Sequence, residues 1–283
     1  MEIYLDTNVY NGLLNNETEI EKIIEKVRKK NIVIRFSEAN LYEIAENYTR
    51  TRNKNRGQEL FLLTKKLCTN KPLIKYNIIS SELNGLIDPV IEQRYKNNRE
   101  LEENGFLIIW EKVCNFRKNE EEIKKYIRSV VRPKMKQKER DLREFRREKR
   151  RLKHEIDKAK IHVNDFNSFL VWVLAREQTQ KMVNKVLRGW KIKQSIEFLR
   201  LPKSLKILLE VNYFLFYWHC FLDRLPERSD SDDMQHLFFA FYVGNFVTND
   251  LNLLEVAKIM NLESKGLRCY GSDSFLDLLR DIR

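Results

Sequence analysis

Ile3-Tyr4-Leu5-Asp6-Thr7-Asn8-Val9-Tyr10 opens the chain as a short apolar run that ends on an acid and a small polar pair. Such a run, bounded by polar residues, predicts a buried β-strand. A second segment of the same design, Phe246-Val247-Thr248-Asn249-Asp250, lies near the C-terminus. In open parallel sheets ligands bind beyond the carboxyl ends of the strands, so acids placed there are better ligand candidates than acids scattered over helices. Two such ends, distant in sequence, predict one shared pocket.

Working outward, Ile20, Ile23, Ile24 and Val27 follow the i, i+3, i+4, i+7 spacing of an amphipathic helix, and residues 31–36 then read as a strand. Ser37 is placed as the N-cap of the next helix, whose apolar positions are Leu41, Ile44 and Ala45, with Glu43 in its first two turns. From about residue 50 to 225 strand alternation is nearly absent, and helical segments are punctuated by Gly57, Pro72, Gly85, Pro89, Gly105, Pro133 and Pro202. After a polar loop at 226–232, a helix over 233–243 leads into the 246–248 strand, a helix over 251–260, a strand near 267–270 and a terminal helix from about Ser274. The expected fold is α/β: a parallel sheet sandwiched by helices, built from residues 1–50 and 226–283 and interrupted by an all-helical insertion at 51–225.

The 283 residues suffice for a full core without staples. Lys plus Arg outnumber Asp plus Glu by 53 to 41, a net charge of +12, which points to a polyanionic partner. A membrane is not expected to be that partner. The longest apolar stretch, 207–222, carries Glu210, Asn212 and His219 and falls short of the roughly 18 uncharged residues that spanning requires. His219 and Cys220 have no partner at metal-ligand spacing and read as core. Cys68, Cys114, Cys220 and Cys269 form neither a CxxC pair nor a regular framework, so reduced thiols in a cytoplasmic protein are expected. Glu2 and Asp6 interrupt the first apolar run, and no export signal is expected.

Much of the positive charge lies in one expected arm at about 117–165. Residues 132–160 hold 14 Lys or Arg against 6 Asp or Glu. Met135, Leu142, Phe145, Leu152, Ile156, Ala159 and Val163 recur at alternating three and four spacings, with Lys138 and Lys149 interrupting the seam. This predicts a long basic helix with one narrow apolar stripe, packed as a hairpin or coiled coil. The excess of one sign favours contact with a phosphate backbone through Arg132, Lys134, Lys136, Arg143, Arg146, Arg147, Arg150 and Arg151. Arg50, Arg52, Lys54 and Arg56 would extend that track, and Tyr48 and Tyr95 would either stack on bases or pack in the core. Alternatively the arm is a protein lever, for self-association or a regulatory partner.

Asp6, Glu43, Asp233 and Asp250 together offer four carboxylates at strand ends and helix starts, the hard oxygen donors that Mg²⁺ or Mn²⁺ takes. With the runs Leu5-Asp6-Thr7-Asn8-Val9, residues 233–240 and Val247-Thr248-Asn249-Asp250, the set resembles the PIN-domain nuclease family, including the VapC-like toxin ribonucleases. The resemblance covers roughly the first 50 and last 58 residues. It implies a parallel α/β sandwich and a site of one or two divalent ions that cleaves RNA, less often DNA, with Asp6, Glu43, Asp233 and Asp250 as catalytic metal ligands. Thr7, Asn8 and Thr248 match the family's polar supporting positions, with Asn249 beside them; His236, one turn after Asp233, reads as a supporting or packing residue in preference to a ligand or proton carrier. Asp233 is preferred because Ala240 follows it by seven residues, as in the family pattern, with Asp232 or Asp230 as the alternative. The basic insertion departs from compact toxin-like members, so their substrate and regulation do not carry over, and a toxin–antitoxin or defence role stays one of the expectations. The competing expectations are a structure-specific DNA nuclease and a non-catalytic binding module for nucleic acid or protein.

Overall fold

Four short strands form one parallel sheet in the order β2-β1-β3-β4, where β1 is Glu2–Leu5, β2 Val33–Arg35, β3 Asn245–Val247 and β4 Arg268–Tyr270. The computed structural model describes residues 1–15, 17–49, 54–68, 70, 72–83, 108–113, 115–158, 163, 165–189, 197–222, 224, 227, 229–272, 275 and 279. The expected α/β class holds, as a small parallel sheet in a mostly helical chain. Arg50, Arg52, Tyr95, the side chain of Lys54 and most of the terminal helix expected from Ser274 lie outside the described residues.

The topology follows from the apolar pattern. Ile3, Tyr4 and Leu5 are all fully buried, as a central parallel strand covered on both faces requires. After β1 come α1 (Thr7–Leu13) and α2 (Glu17–Lys29), whose Ile20, Ile23 and Val27 are buried at helical spacing. The chain then returns as β2, paired to one side of β1, while β3 pairs to the other side from some 240 residues away. The sheet order therefore reverses between β1 and β3, and the crevice at their carboxyl ends is where such sheets bind ligands.

Two compact units are present. The first comprises Met1–Ile74, Glu103–Lys138 and Gln235–Arg283, so it adds 51–74 and 103–138 to the 1–50 and 226–283 expected for the sheet and leaves 226–234 to the second unit. It gains α4 (Lys54–Leu67), packed on α3 (Glu38–Thr49), and α6 (Phe116–Tyr126), which follows α5 (Lys75–Leu83). Gly57 permits that α3–α4 approach, since a Cβ there would lie 2.8 Å from the Tyr48 backbone. A π-helical turn at Ile127–Val131 then leads into α7 (Arg132–Lys158), and Ile123, Ile127 and Val131 form a buried i, i+4 row. In the same unit, Gly244 ends α11 (Asp230–Val243) at φ +88, a left-handed turn that hands the chain to β3.

The second unit, Lys75–Glu102 and Glu139–Met234, is helical in its described part. Its aromatic core joins α8 (Phe166–Leu174) to α10 (Lys203–Phe221) through Phe166, Phe169, Phe214 and Tyr217, with α9 (Glu177–Gly189) between them in sequence. Phe145 of α7 packs on Phe216 of α10, ring centroids 4.5 Å apart, and the Cys220 thiol reaches the Lys149 carbonyl. The apolar stripe of the basic arm thus covers a sequence-distant helix, whereas the sequence pattern predicts a hairpin or coiled coil. The described cysteines Cys68, Cys220 and Cys269 are free thiols. Among the described residues no helix is long and apolar enough to cross a membrane.

Candidate metal centre

Asp6 stands at the carboxyl end of β1, directly at the reversal of the sheet order. Its backbone N–H donates to the Val247 carbonyl of β3 at 3.0 Å, so the two strand ends quoted from the sequence lie side by side. Asp6 occupies the N-cap position of α1 in extended conformation yet makes no side-chain cap hydrogen bond. Its carboxylate turns elsewhere: Oδ2 accepts from Thr248 Oγ1 at 2.7 Å and from Asn8 Nδ2 at 3.3 Å. Thr248 Oγ1 in turn accepts the backbone N–H of Asp250 at 3.0 Å.

Two further side chains meet Asp6. His236, on α11, places Nε2 3.7 Å from Asp6 Oδ1 and 3.1 Å from Glu43 Oε2 of α3. Each of the three offers a ligand atom, and these atoms all lie within 4.8 Å of one another. The side chains of Asp6 and His236 are 3% and 1% exposed, and that of Glu43 is 22% exposed, so Glu43 forms the mouth of the site.

The support beneath them begins at Ser37, which caps α3 as its sequence position predicts: Oγ accepts from Ala39 N at 3.2 Å. Asn40, fully buried, is the hub. Its Oδ1 accepts from Ser37 N at 3.0 Å and its Nδ2 donates to the Leu5 carbonyl at 3.1 Å and to Thr7 Oγ1 at 3.2 Å. Tyr4, also fully buried, bonds through its hydroxyl to Ser37 Oγ and to His236 Nδ1, both at 2.7 Å.

The charges are set by these surroundings. Burial pushes the Asp6 carboxyl above its ordinary value; the His236 charge and the Thr248 hydrogen bond oppose the shift, and the Glu43 charge adds to it. Burial acts upward on Glu43 too. There the His236 charge, hydrogen bonds from His236 and Thr7, and the Lys138 charge outweigh it and hold the carboxyl below its ordinary value. Burial raises the Tyr4 phenol well above its ordinary value, so it keeps its proton. Two neighbouring carboxylates in one low-dielectric site are both ionised only beside a compensating positive charge, which a protonated His236 or a bound cation can supply. An imidazole nitrogen with two carboxylate oxygens is a donor set that a divalent metal ion fits.

The other residues named from the sequence fall as follows. Asp250 caps α12 (Leu251–Ile259), its Oδ1 accepting from Asn252 N at 2.8 Å, and it is not in the three-residue group. Asp232 and Asp233 lie in the first turn of α11 and are likewise outside that group. Asp230 is engaged elsewhere, 2.9 Å from His219 Nε2 and accepting from Glu227 N at 2.7 Å. Thr7 accepts from Asn40, Asn8 and Thr248 donate to Asp6, and the exposed Asn249 sits against Gly12. Arg132, Lys134, Lys136, Arg143, Arg146, Arg147, Arg150 and Arg151 are all exposed on α7. Lys134 hydrogen-bonds the Tyr42 hydroxyl and lies 3.7 Å above its ring, one residue from Glu43. Arg56 ties α4 to α1 through the Asn11 carbonyl at 2.6 Å, and Tyr48 donates to Glu120 at 3.1 Å.

From the sequence His236 reads first as a supporting or packing residue and second as a ligand, and Tyr4 and Asn40 have no role. His236 carried a signal, since a histidine one turn into an acid-capped helix before a strand faces the strand's end. Tyr4 carried none, because a phenol inside an apolar run reads as core. Comparison with known protein families, curated proteins and solved structures finds no match for this chain.

Proposed function

We propose that this protein is a divalent-metal-dependent endonuclease of PIN-like design, acting on RNA in preference to DNA. The observation that carries the proposal is the convergence of Asp6, Glu43 and His236 at the carboxyl end of the central strand, beside the basic start of α7. When bound, an Mg²⁺ or Mn²⁺ ion at this centre neutralises phosphate charge and acidifies water. The chain's own residues do the rest. Asp6 and His236, held in place by Thr248 and Tyr4, would form the buried floor that holds the cation. Glu43, at the mouth and ionised, would give the ion Oε2 and take a proton from the attacking water on its other carboxylate oxygen. The water oxygen bonds to phosphorus as the opposite ester P–O bond breaks, and the leaving oxygen is protonated from solvent. Lys134 and Lys138 bring positive charge to the Glu43 side, where the phosphodiester backbone would lie. The preference for RNA rests on the motif resemblance.

Purified protein incubated with mixed RNA and with single-stranded and duplex DNA, in Mn²⁺, Mg²⁺ or chelator, tests the proposal beside Asp6→Asn. RNA fragments are expected with the ion and not with chelator, with cleavage reduced at least 100-fold in the variant. Equal cutting by both proteins would remove the site assignment, and binding without cutting in every condition would leave a binding module.

A further inference from the structure

The hydrogen-bond chain behind the site fixes where its protons lie, because both ends of that chain are unambiguous. The Ser37 backbone N–H is only a donor, which makes the Asn40 atom it meets the amide oxygen; the Leu5 carbonyl is only an acceptor, which makes the atom it meets the amide nitrogen. Ser37 Oγ, 3.1 Å from Asn40 Oδ1, must therefore donate its proton there. Its lone pairs then receive the Ala39 N–H and the Tyr4 O–H. With its one proton given to Ser37, the Tyr4 oxygen accepts from His236, so Nδ1 of His236 carries a hydrogen. The ring's other nitrogen, Nε2, is thereby the one that faces Glu43 Oε2 and Asp6 Oδ1, where a bound cation would take its lone pair in place of a proton.

The carboxylates are organised by the same means. Asn40 Nδ2 donates to Thr7 Oγ1, whose own hydroxyl serves Glu43, and Thr248 holds the other oxygen of Asp6. The protons of these supports are thus committed on the outer side of the site, and one nitrogen and two oxygen donor atoms converge on its inner side. A histidine whose second nitrogen hydrogen-bonds a fixed acceptor is the usual arrangement of a metal-ligating imidazole.

Resting on the metal-nuclease proposal above, we infer that the ion this centre selects is a first-row transition ion, Mn²⁺ or a later member of the series, bound through His236 Nε2, Asp6 Oδ1 and Glu43 Oε2, in preference to Mg²⁺. Mg²⁺ prefers oxygen donors and keeps its waters, whereas imidazole favours the transition ions, increasingly from Mn²⁺ toward Cu²⁺. Replacing one carboxylate by an imidazole also lowers the negative charge on which a hard ion depends. Tyr4 is then a positioning residue that acts through His236.

The test uses the full chain stripped with chelator and titrated with Mn²⁺, Co²⁺ or Mg²⁺ alone by calorimetry, followed by pulsed electron paramagnetic resonance of the Mn²⁺ form. Mn²⁺ and Co²⁺ are expected to bind at least tenfold more tightly than Mg²⁺, with a directly bonded ¹⁴N coupling that disappears in His236→Asp. Tyr4→Phe, a smaller change should the first variant not fold, is expected to weaken Mn²⁺ about 10–100-fold and Mg²⁺ much less. Mg²⁺ binding as tight as Mn²⁺, or bound Mn²⁺ without nitrogen coupling, would overturn the inference and leave the nuclease proposal standing. Failure of all three ions to bind would remove both.

Discussion

Thr248 shows how one hydroxyl can hold a site together. It is fully buried, donates to Asp6 Oδ2 and accepts the Asp250 N–H, so it links the ends of β1 and β3. Removing it leaves a buried carboxylate oxygen and a backbone donor short of partners, a loss of about 1–3 kcal/mol. Thr248→Val, which keeps the shape, is expected to lose that amount in urea unfolding and to weaken metal binding; unchanged stability would mean that Asp6 finds another donor. The two strand-end aspartates, alike in sequence, also part here. Asp250 uses its carboxylate to cap a helix, a local option open to any Asp before a helix, while Asp6 leaves its own helix uncapped and turns to the site. Strand ends are visible in a sequence as polar residues closing an apolar run, which is why Asp6 and Thr248 were legible. The choice between capping and converging depends on neighbours 35 to 240 residues away, and no local pattern encodes it.

Among the elements, α7 carries the exposed basic surface that the proposed nuclease would use to bind its substrate. Its stripe of Phe145 and neighbours is taken up by α10, which leaves Arg143, Arg147 and Arg150 on its exposed side. The sequence revealed this helix through its period and charge. It could not reveal the partner, because a three-and-four stripe fits any apolar helix face equally well. Reversing Arg143, Arg147 and Arg150 to Glu is expected to weaken RNA binding and to lower the slope of log affinity against log salt by about 0.7 for each phosphate no longer neutralised. Filter binding at several salt concentrations reads this out. An unchanged slope would assign the arm to protein contacts instead. Ser37 and α3 were legible for a different reason: a serine cap before an apolar-periodic run is a local signal, and the structure uses it as the sequence suggests.

At the scale of the whole molecule, the fold brings together two chain ends that no local signal connects. β1 pairs with β3 because the apolar residues of both, Ile3 to Leu5 and Phe246 to Val247, need cover on two faces, and this pairing sets Asp6 beside the chain that carries His236 on α11. The centre holds two carboxylates in a mostly buried setting, so on the proposed function cation binding and folding would be coupled. An ion at 100 times its dissociation constant is expected to add about 2.7 kcal/mol of stability, measured as a fall in melting temperature when chelator is added. Asp6→Asn should abolish that response. A melting temperature indifferent to both ion and chelator would mean that no cation belongs to the folded state.

The most direct measurement is an anomalous-difference map from crystals soaked in Mn²⁺. The expected result is a single strong peak about 2.0–2.3 Å from Asp6, Glu43 and His236, within the range of divalent-ion bonds to oxygen and nitrogen. Featureless density between those three side chains at saturating Mn²⁺, or a peak held by other residues, would contradict the account.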